Sequence, residues 1–149
     1  MPRTSKPPQS VLGSADEIEM QFYEALQSGD IDRLMAAWSD DDDIVCVHPG
    51  GPRLVGAAAI RASFEAIFAN GAVHAQPDKV RRLLGHSSAV HNVLERVMVM
   101  GSDGPQPAWV IATNVYLKGA QGWRLVCHHA SPGTKQEVQE IVETASILH

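Results

Sequence analysis

The chain has 149 residues, a formal net charge of −5 and two cysteines, which suits one ordinary domain with a substantial core and leaves little length for a second. Its nearest approach to a basic cluster is Lys79, Arg81 and Arg82, too few to track a phosphate backbone, so no nucleic-acid partner is expected. No apolar run approaches the roughly 20 residues of a membrane span and no signal-peptide apolar region follows the start, so a cytoplasmic protein with no membrane partner is expected.

Residues 1–13 carry three prolines and no periodicity and read as a mobile tail. Ser14-Ala-Asp-Glu17 is a capping box that starts a helix running to about Ser28, with Ile18, Phe22, Ala25 and Leu26 on one stripe and Gly29 as its stop. Asp30 then caps a short second helix through Trp38, with Ile31, Leu34 and Met35 at helical spacing. The four carboxylates Asp40 to Asp43 read as a solvated turn, with a weak cation site as the alternative. Ile44–His48 is a strand that His48-Pro49-Gly-Gly-Pro52 ends abruptly, and Arg53–Val55 can return beside it. Ile60, Phe64, Ile67 and Phe68 make an amphipathic helix from Gly56 to about Asn70.

The remainder is β-rich. Val73–Leu84, Ala89–Met100, Ala108–Leu117 and Trp123–Ala130 are β-branched and aromatic runs separated by glycine-containing turns, and Lys135–Leu148 is a terminal amphipathic helix. Helices followed by consecutive hairpins indicate an α+β fold, with helices covering one face of a mainly antiparallel sheet. Alternation puts Ala112, Asn114 and Tyr116 on one strand face, and Trp123, Leu125, Cys127 and His129 on one face of the next. Glu95 and Arg96 are adjacent in a strand, so one points inward; a buried Glu95 would have a raised pKa and be an acid/base candidate. Phosphate-loop, dinucleotide, serine-elbow and His-Glu-x-x-His motifs do not occur.

Tyr23-Glu-Ala-Leu-Gln-Ser-Gly-Asp30, Leu34-Met-Ala-Ala-Trp38, His48-Pro49, Gly56-Ala-Ala-Ala-Ile60, Thr113-Asn-Val-Tyr116 and Gly122-Trp-Arg-Leu-Val-Cys-His-His-Ala-Ser131 occur in that order. Together they resemble the nuclear transport factor 2-like superfamily over residues 14–132, with residues 133–149 as a C-terminal helix or tail. That group includes ketosteroid isomerase, SnoaL-type polyketide cyclases, limonene epoxide hydrolase, scytalone dehydratase and the association domain of calcium/calmodulin-dependent protein kinase II. The final hairpin looks most like the kinase association domain and its bacterial relatives. The resemblance implies a cone-shaped, strongly bent sheet, three helices in the N-terminal half enclosing a pocket, and a homodimer packed through sheet faces.

In the isomerase-like members the general base is a carboxylate just before a proline in the first strand; that position looks like His48 here. A histidine, with a pKa of about 6.5, can accept a proton at neutral pH, though a satisfied pocket-lining histidine is the plainer reading. The family's second hydrogen-bond donor falls on Asn114, with Tyr116 on the same face. Its helix-one tyrosine falls on Phe22, and Tyr23, one position off, is expected on another side, leaving no phenol beside Asn114. Cys46 with His48 and Cys127 with His129 could together suit zinc if the first and last strands adjoin, but buried thiols and a pocket histidine are expected, with no metal and no cofactor. Arg53 could cap the pocket mouth or make a surface ion pair, and Trp38 is a wall residue. The reading reached is a small-molecule-binding protein with an apolar pocket. Two alternatives stay open: an isomerase, cyclase or dehydratase with His48 as base and Asn114 as orienter, and an assembly module like the kinase association domain.

Overall fold

The Ser14 hydroxyl accepts a hydrogen bond from the Glu17 amide at 3.2 Å and so starts α1, Ala15–Ser28, which Gly29 ends in the left-handed conformation at φ 68°. In this computed structural model, which describes residues 13–134, the remaining elements follow the expected order. They are α2 (Ile31–Ala36), β1 (Val45–Val47), β2 (Arg53–Val55), α3 (Ala57–Phe68), β3 (Ala75–Leu84), β4 (Ser88–Gly101), β5 (Gly104–Gly119) and β6 (Gly122–Pro132). The expected 1–13 tail, apart from Gly13, and the Lys135–Leu148 helix lie outside the described residues. No helix among the described residues is long and apolar enough to cross a membrane.

All six strands join one sheet in the order β2-β1-β6-β5-β4-β3, antiparallel except where β1 runs parallel to β6. Two irregularities break the ladder, between Asp78 and Arg81 in β3 and between Cys127 and Leu125 in β6. Bulges of this kind increase local twist and bend a sheet, here around the helices. At the first, Lys79 adopts φ 42°.

Two of the differences in element bounds from the sequence reading have a clear physical cause. β4 and β5 extend to Gly101 and Gly104, because a two-residue Ser102-Asp103 turn lets the ladder continue past Pro105 and Pro107. Trp38 is not helical: α2 stops at Ala36, the Leu125 amide donates to the Ala37 carbonyl and the Ser39 amide to the Leu125 carbonyl, so the chain leaves the helix to pair with β6.

The core fills the space between the helices and the inner sheet face. Phe22 is its centre, fully buried, with ring centroids 5.2 Å from Tyr23, 6.1 Å from Phe64 and 6.4 Å from Trp38, all near edge-to-face. Ile18, Leu26, Leu34, Ile60, Val93 and Leu125 close the cluster around it. Each such side chain contributes about 1.5–3 kcal/mol when buried.

Candidate functional site

Strand register assembles a polar belt inside this apolar core. His91 on β4 pairs with Asn114 on β5, and Asn114 with His128 on β6, so three polar side chains lie abreast on the inner face. Asn114 and His91 are fully buried, and His128 and Glu95 nearly so. Above them α1 contributes Glu19 and Tyr23, one turn apart and both buried.

One group forms a hydrogen-bond chain with a single direction. The Tyr23 hydroxyl donates to Glu95 Oε2 at 2.7 Å, and it accepts from Asn114 Nδ2 at 3.1 Å. The Asn114 Oδ1 is then free to accept from His128 Nδ1 at 2.5 Å, which puts the ring proton of His128 on that nitrogen. Proton donation thus runs from β6 through β5 and α1 to a carboxyl group on β4, and bonds in such a chain polarise one another. Burial raises the pKa of Glu95 to about 7, partly offset by the Tyr23 bond, and raises that of Tyr23 well above its usual value. Burial lowers His128 to about 3, with the nearby His48 and His129 rings acting in the same direction. The chain therefore holds an imidazole kept neutral at one end and a carboxyl pushed towards neutrality at the other.

His48 stands just past β1. Its Nε2 lies 3.0 Å from the Ser63 hydroxyl, whose proton goes to the Ile60 carbonyl at 2.7 Å, so the hydroxyl accepts and Nε2 carries the ring proton. The basic lone pair is therefore on Nδ1. The ring packs edge-on against Phe64 at 4.8 Å, and burial lowers its pKa. Cys46 Sγ is 3.9 Å from the same Nε2, and burial pushes its thiol up to about 12, which suppresses nucleophilic thiolate.

Several residues are not where alternation alone would put them. The β6 irregularity pairs Leu125 with Tyr116 but Cys127 with Val115, so Val126 is an extra residue and the faces exchange beyond it. His128 consequently points inward and His129 is exposed on the outer face; the expected inward His129 is corrected on this ground. Cys127 shares the outer face with its partner Val45, so it and Cys46 lie on opposite faces as free thiols. The Cys/His quartet weighed as a zinc alternative thus does not converge. Arg53 is exposed, and its partner Val47 pairs with His129, which places it on the outer face rather than at a mouth over the inner one.

Tyr23 corrects the expectation in the other direction. α1 buries Ile18, Glu19, Phe22, Tyr23, Ala25 and Leu26, a stripe wide enough for two successive aromatic rings, so Phe22 fills the core while Tyr23 supplies the phenol beside Asn114. Glu95 faces inward and Arg96 outward, as alternation required of one of them. Trp38 and Tyr116 are buried in the core cluster; burial first, and then the Glu19 carboxylate, raise the pKa of Tyr116. A surface cavity of about 460 Å³ lies outside the Tyr23 chain, between Ser39–Asp41 and the β5–β6 turn.

The sequence reading missed Tyr23, Ser63, His91, Glu19 and His128. For His91 a signal existed, since it shares strand parity with Glu95. For His128 there was none, because a bulge leaves no mark in residue type.

Residues 16–135 match the family model described as a SnoaL-like domain. Among solved structures, a candidate calcium/calmodulin-dependent protein kinase type II association domain from Thiobacillus denitrificans is 34% identical, with 81% of this chain and 96% of that one covered at a TM-score of 0.73. A candidate dehydratase of the nuclear transport factor 2-like family from Streptomyces avermitilis is 28% identical, with 85% and 99% covered and a TM-score of 0.72. A protein of cystatin-like fold from Caulobacter vibrioides, 13% identical with 89% and 96% covered, shares the fold at a TM-score of 0.72. No curated protein matches the chain.

Proposed function

The chain belongs to the SnoaL-like domain family, and from that premise we propose that it binds a small organic molecule at the inner face of its sheet, beside His48, Asn114 and His128. The fold alone does not carry this, because it hosts unrelated activities. The observation that carries it is the buried chain from His128 through Asn114 and Tyr23 to Glu95. Burying four polar side chains costs stability that an apolar core would not lose, and such groups concentrate where a ligand has to be oriented. Native mass spectrometry of freshly purified protein, followed by denaturing release, tests the reading. A non-covalent organic mass is expected on the wild type and absent from Asn114→Leu. A wild type carrying none, and whose His48 and His128 ring signals are unmoved by a panel of small ketones, lactones and carboxylic acids, overturns it.

A second reading, catalysis of an isomerisation or dehydration, is favoured by the opposed environments of Glu95 and His48. One carboxyl is pushed up to about 7 and one imidazole is pushed down, which brings an acid and a base towards the same working pH. In this reading the Nδ1 lone pair of His48 takes the substrate proton and returns it to the product or to the leaving hydroxyl, Asn114 orients the developing oxyanion with its second Nδ2 proton, and Glu95 polarises the chain through the bond it accepts from Tyr23. Association is a third component. The outer sheet face presents Val90, Trp109, Ile111 and Val115 half-buried around the Asn92–Thr113 hydrogen bond, an apolar patch suited to a homodimer.

A further inference from the structure

Two histidines of the inner face, His48 and His128, each present a nitrogen that nothing pairs. His128 donates from Nδ1 to Asn114 Oδ1 at 2.5 Å, so its Nε2 carries a lone pair. His48 donates from Nε2 to the Ser63 hydroxyl at 3.0 Å, because that hydroxyl gives its own proton to the Ile60 carbonyl, and its lone pair is therefore on Nδ1. Each tautomer is fixed by the bond that the other nitrogen makes. Neither lone pair has a hydrogen-bond partner among the described residues.

The two rings are neighbours. Cys46 pairs with His128 across β1 and β6, and His48 stands two residues beyond Cys46 on the same face, which makes the two histidines diagonal neighbours. The nitrogens of an imidazole point nearly opposite ways, so His128 Nε2 faces away from β5, and the strand on the other side of β6 is β1. Phe64 and Phe22 join the two: successive ring centroids are 4.8 Å apart from His48 to Phe64, 6.1 Å from Phe64 to Phe22 and 5.1 Å from Phe22 to His128. Two acceptors thus stand at the ends of an unbroken run of rings.

No cation accompanies them. The buried polar and charged residues among those described are Glu19, His91, Glu95, Asn114 and His128, with no lysine or arginine. Arg61, two residues from Ser63, is engaged by Asp32 and Glu65. Burial also lowers the pKa of both imidazoles, to about 3 in His128, which keeps the rings neutral near pH 7.

Resting on the small-molecule reading above, we infer that the ligand is an uncharged hydroxyl compound whose O–H protons are accepted by His48 Nδ1 and His128 Nε2. A carboxylate brings acceptors and a negative charge, so both lone pairs repel it and no buried cation answers it. A ketone or an ether also brings only acceptors, and it leaves two desolvated lone pairs unpaired. A site built to pair a hydroxyl rejects the analogue that lacks one. Of the two reactions considered above, dehydration is the one whose substrate carries such a group.

Catechol, guaiacol and veratrole share one ring skeleton and carry two, one and no hydroxyl protons, and benzoate supplies the anion. Each is titrated into the full chain at pH 7.5 and followed by histidine-ring nitrogen NMR. Catechol is expected to move the His48 Nδ1 and His128 Nε2 signals and to bind at least about tenfold more tightly than veratrole, with guaiacol between them. His48→Phe keeps an aromatic ring against Phe64 but removes the lone pair, so there catechol should lose its advantage over guaiacol. This position is only part-buried, so the answer does not depend on replacing the buried His128. Veratrole or benzoate binding as tightly as catechol overturns the inference while the ligand-binding reading stands. Ring signals unmoved by all four probes overturn it as well, and the mass measurement on freshly purified protein then decides the broader reading by itself.

Discussion

Tyr23 on α1 donates its phenolic proton to Glu95 on β4, 72 residues away, across 2.7 Å of buried space. The bond ties the first helix to the middle of the sheet and partly offsets the upward push that burial gives the Glu95 carboxyl. Its consequences are measurable.

Glu95 makes stability depend on pH. Its folded pKa of about 7 stands above the ordinary carboxylate value of 4.5, so the folded state binds the proton more tightly. The stabilisation is complete below the unfolded pKa and is lost as pH rises from about 4.5 through about 7, by ~3 kcal/mol in all. His128 works in the opposite sense: with a folded pKa of about 3 against 6.5, it lowers stability as pH falls through that window. The two slopes oppose between about 4.5 and 6.5. Urea unfolding from pH 4.5 to 8 should therefore show a shallow wild-type profile there, and Glu95→Gln should gain on the wild type steadily as pH rises. A constant gap between the two proteins would contradict the buried, raised carboxyl.

Tyr23→Phe removes the link in the middle. It leaves Glu95 without its donor and Asn114 Nδ2 without its acceptor, a loss of about 1–3 kcal/mol. Because the Tyr23 bond holds the Glu95 pKa down, the carboxyl of the variant should titrate at higher pH than in the wild type. Carbon-detected NMR of the glutamate carboxyl reads that shift directly. An unmoved titration would place Tyr23 outside the chain.

His48→Gln separates fold from function. The side chain is only part-buried and its bond to Ser63 can be kept by the amide, so melting temperature should change little. Turnover of any isomerisation or dehydration substrate of the wild type should fall by about 10²–10⁴. Full activity in this variant would remove His48 as the base and assign the proton transfer to another group.

Trp109→Glu tests the outer face. It puts a charge on a half-buried strand position without touching the inner belt, so sedimentation should show the proposed homodimer dissociating while the fold persists. An unchanged sedimentation coefficient at equal concentration would move association to another surface.

Local chemistry made most of the architecture legible. The Ser14 and Asp30 caps, the Gly29 stop, the helical stripe of Ile18, Phe22 and Leu26, and the Gly119–Gly122 hairpin turn act within a few residues of themselves, and each appears where the sequence puts it. The inward positions of Asn114 and Tyr116 were readable for the same reason, since β5 alternates without interruption over that stretch. What escaped was everything that depends on register or on contact between distant segments. Strand parity is a count of two, and one extra residue at Val126 reverses it, exchanging His129 for His128 at the inner face. Helical spacing assigned Tyr23 to another side because it assumes a narrow stripe; only packing against a curved sheet widens that stripe enough to bury two neighbouring rings. The amino-acid sequence determined which elements form and what each could carry. The tertiary structure alone decided which polar groups meet, because hydrogen-bond partners 72 and 91 residues apart are chosen by the bend of the sheet rather than by any local preference.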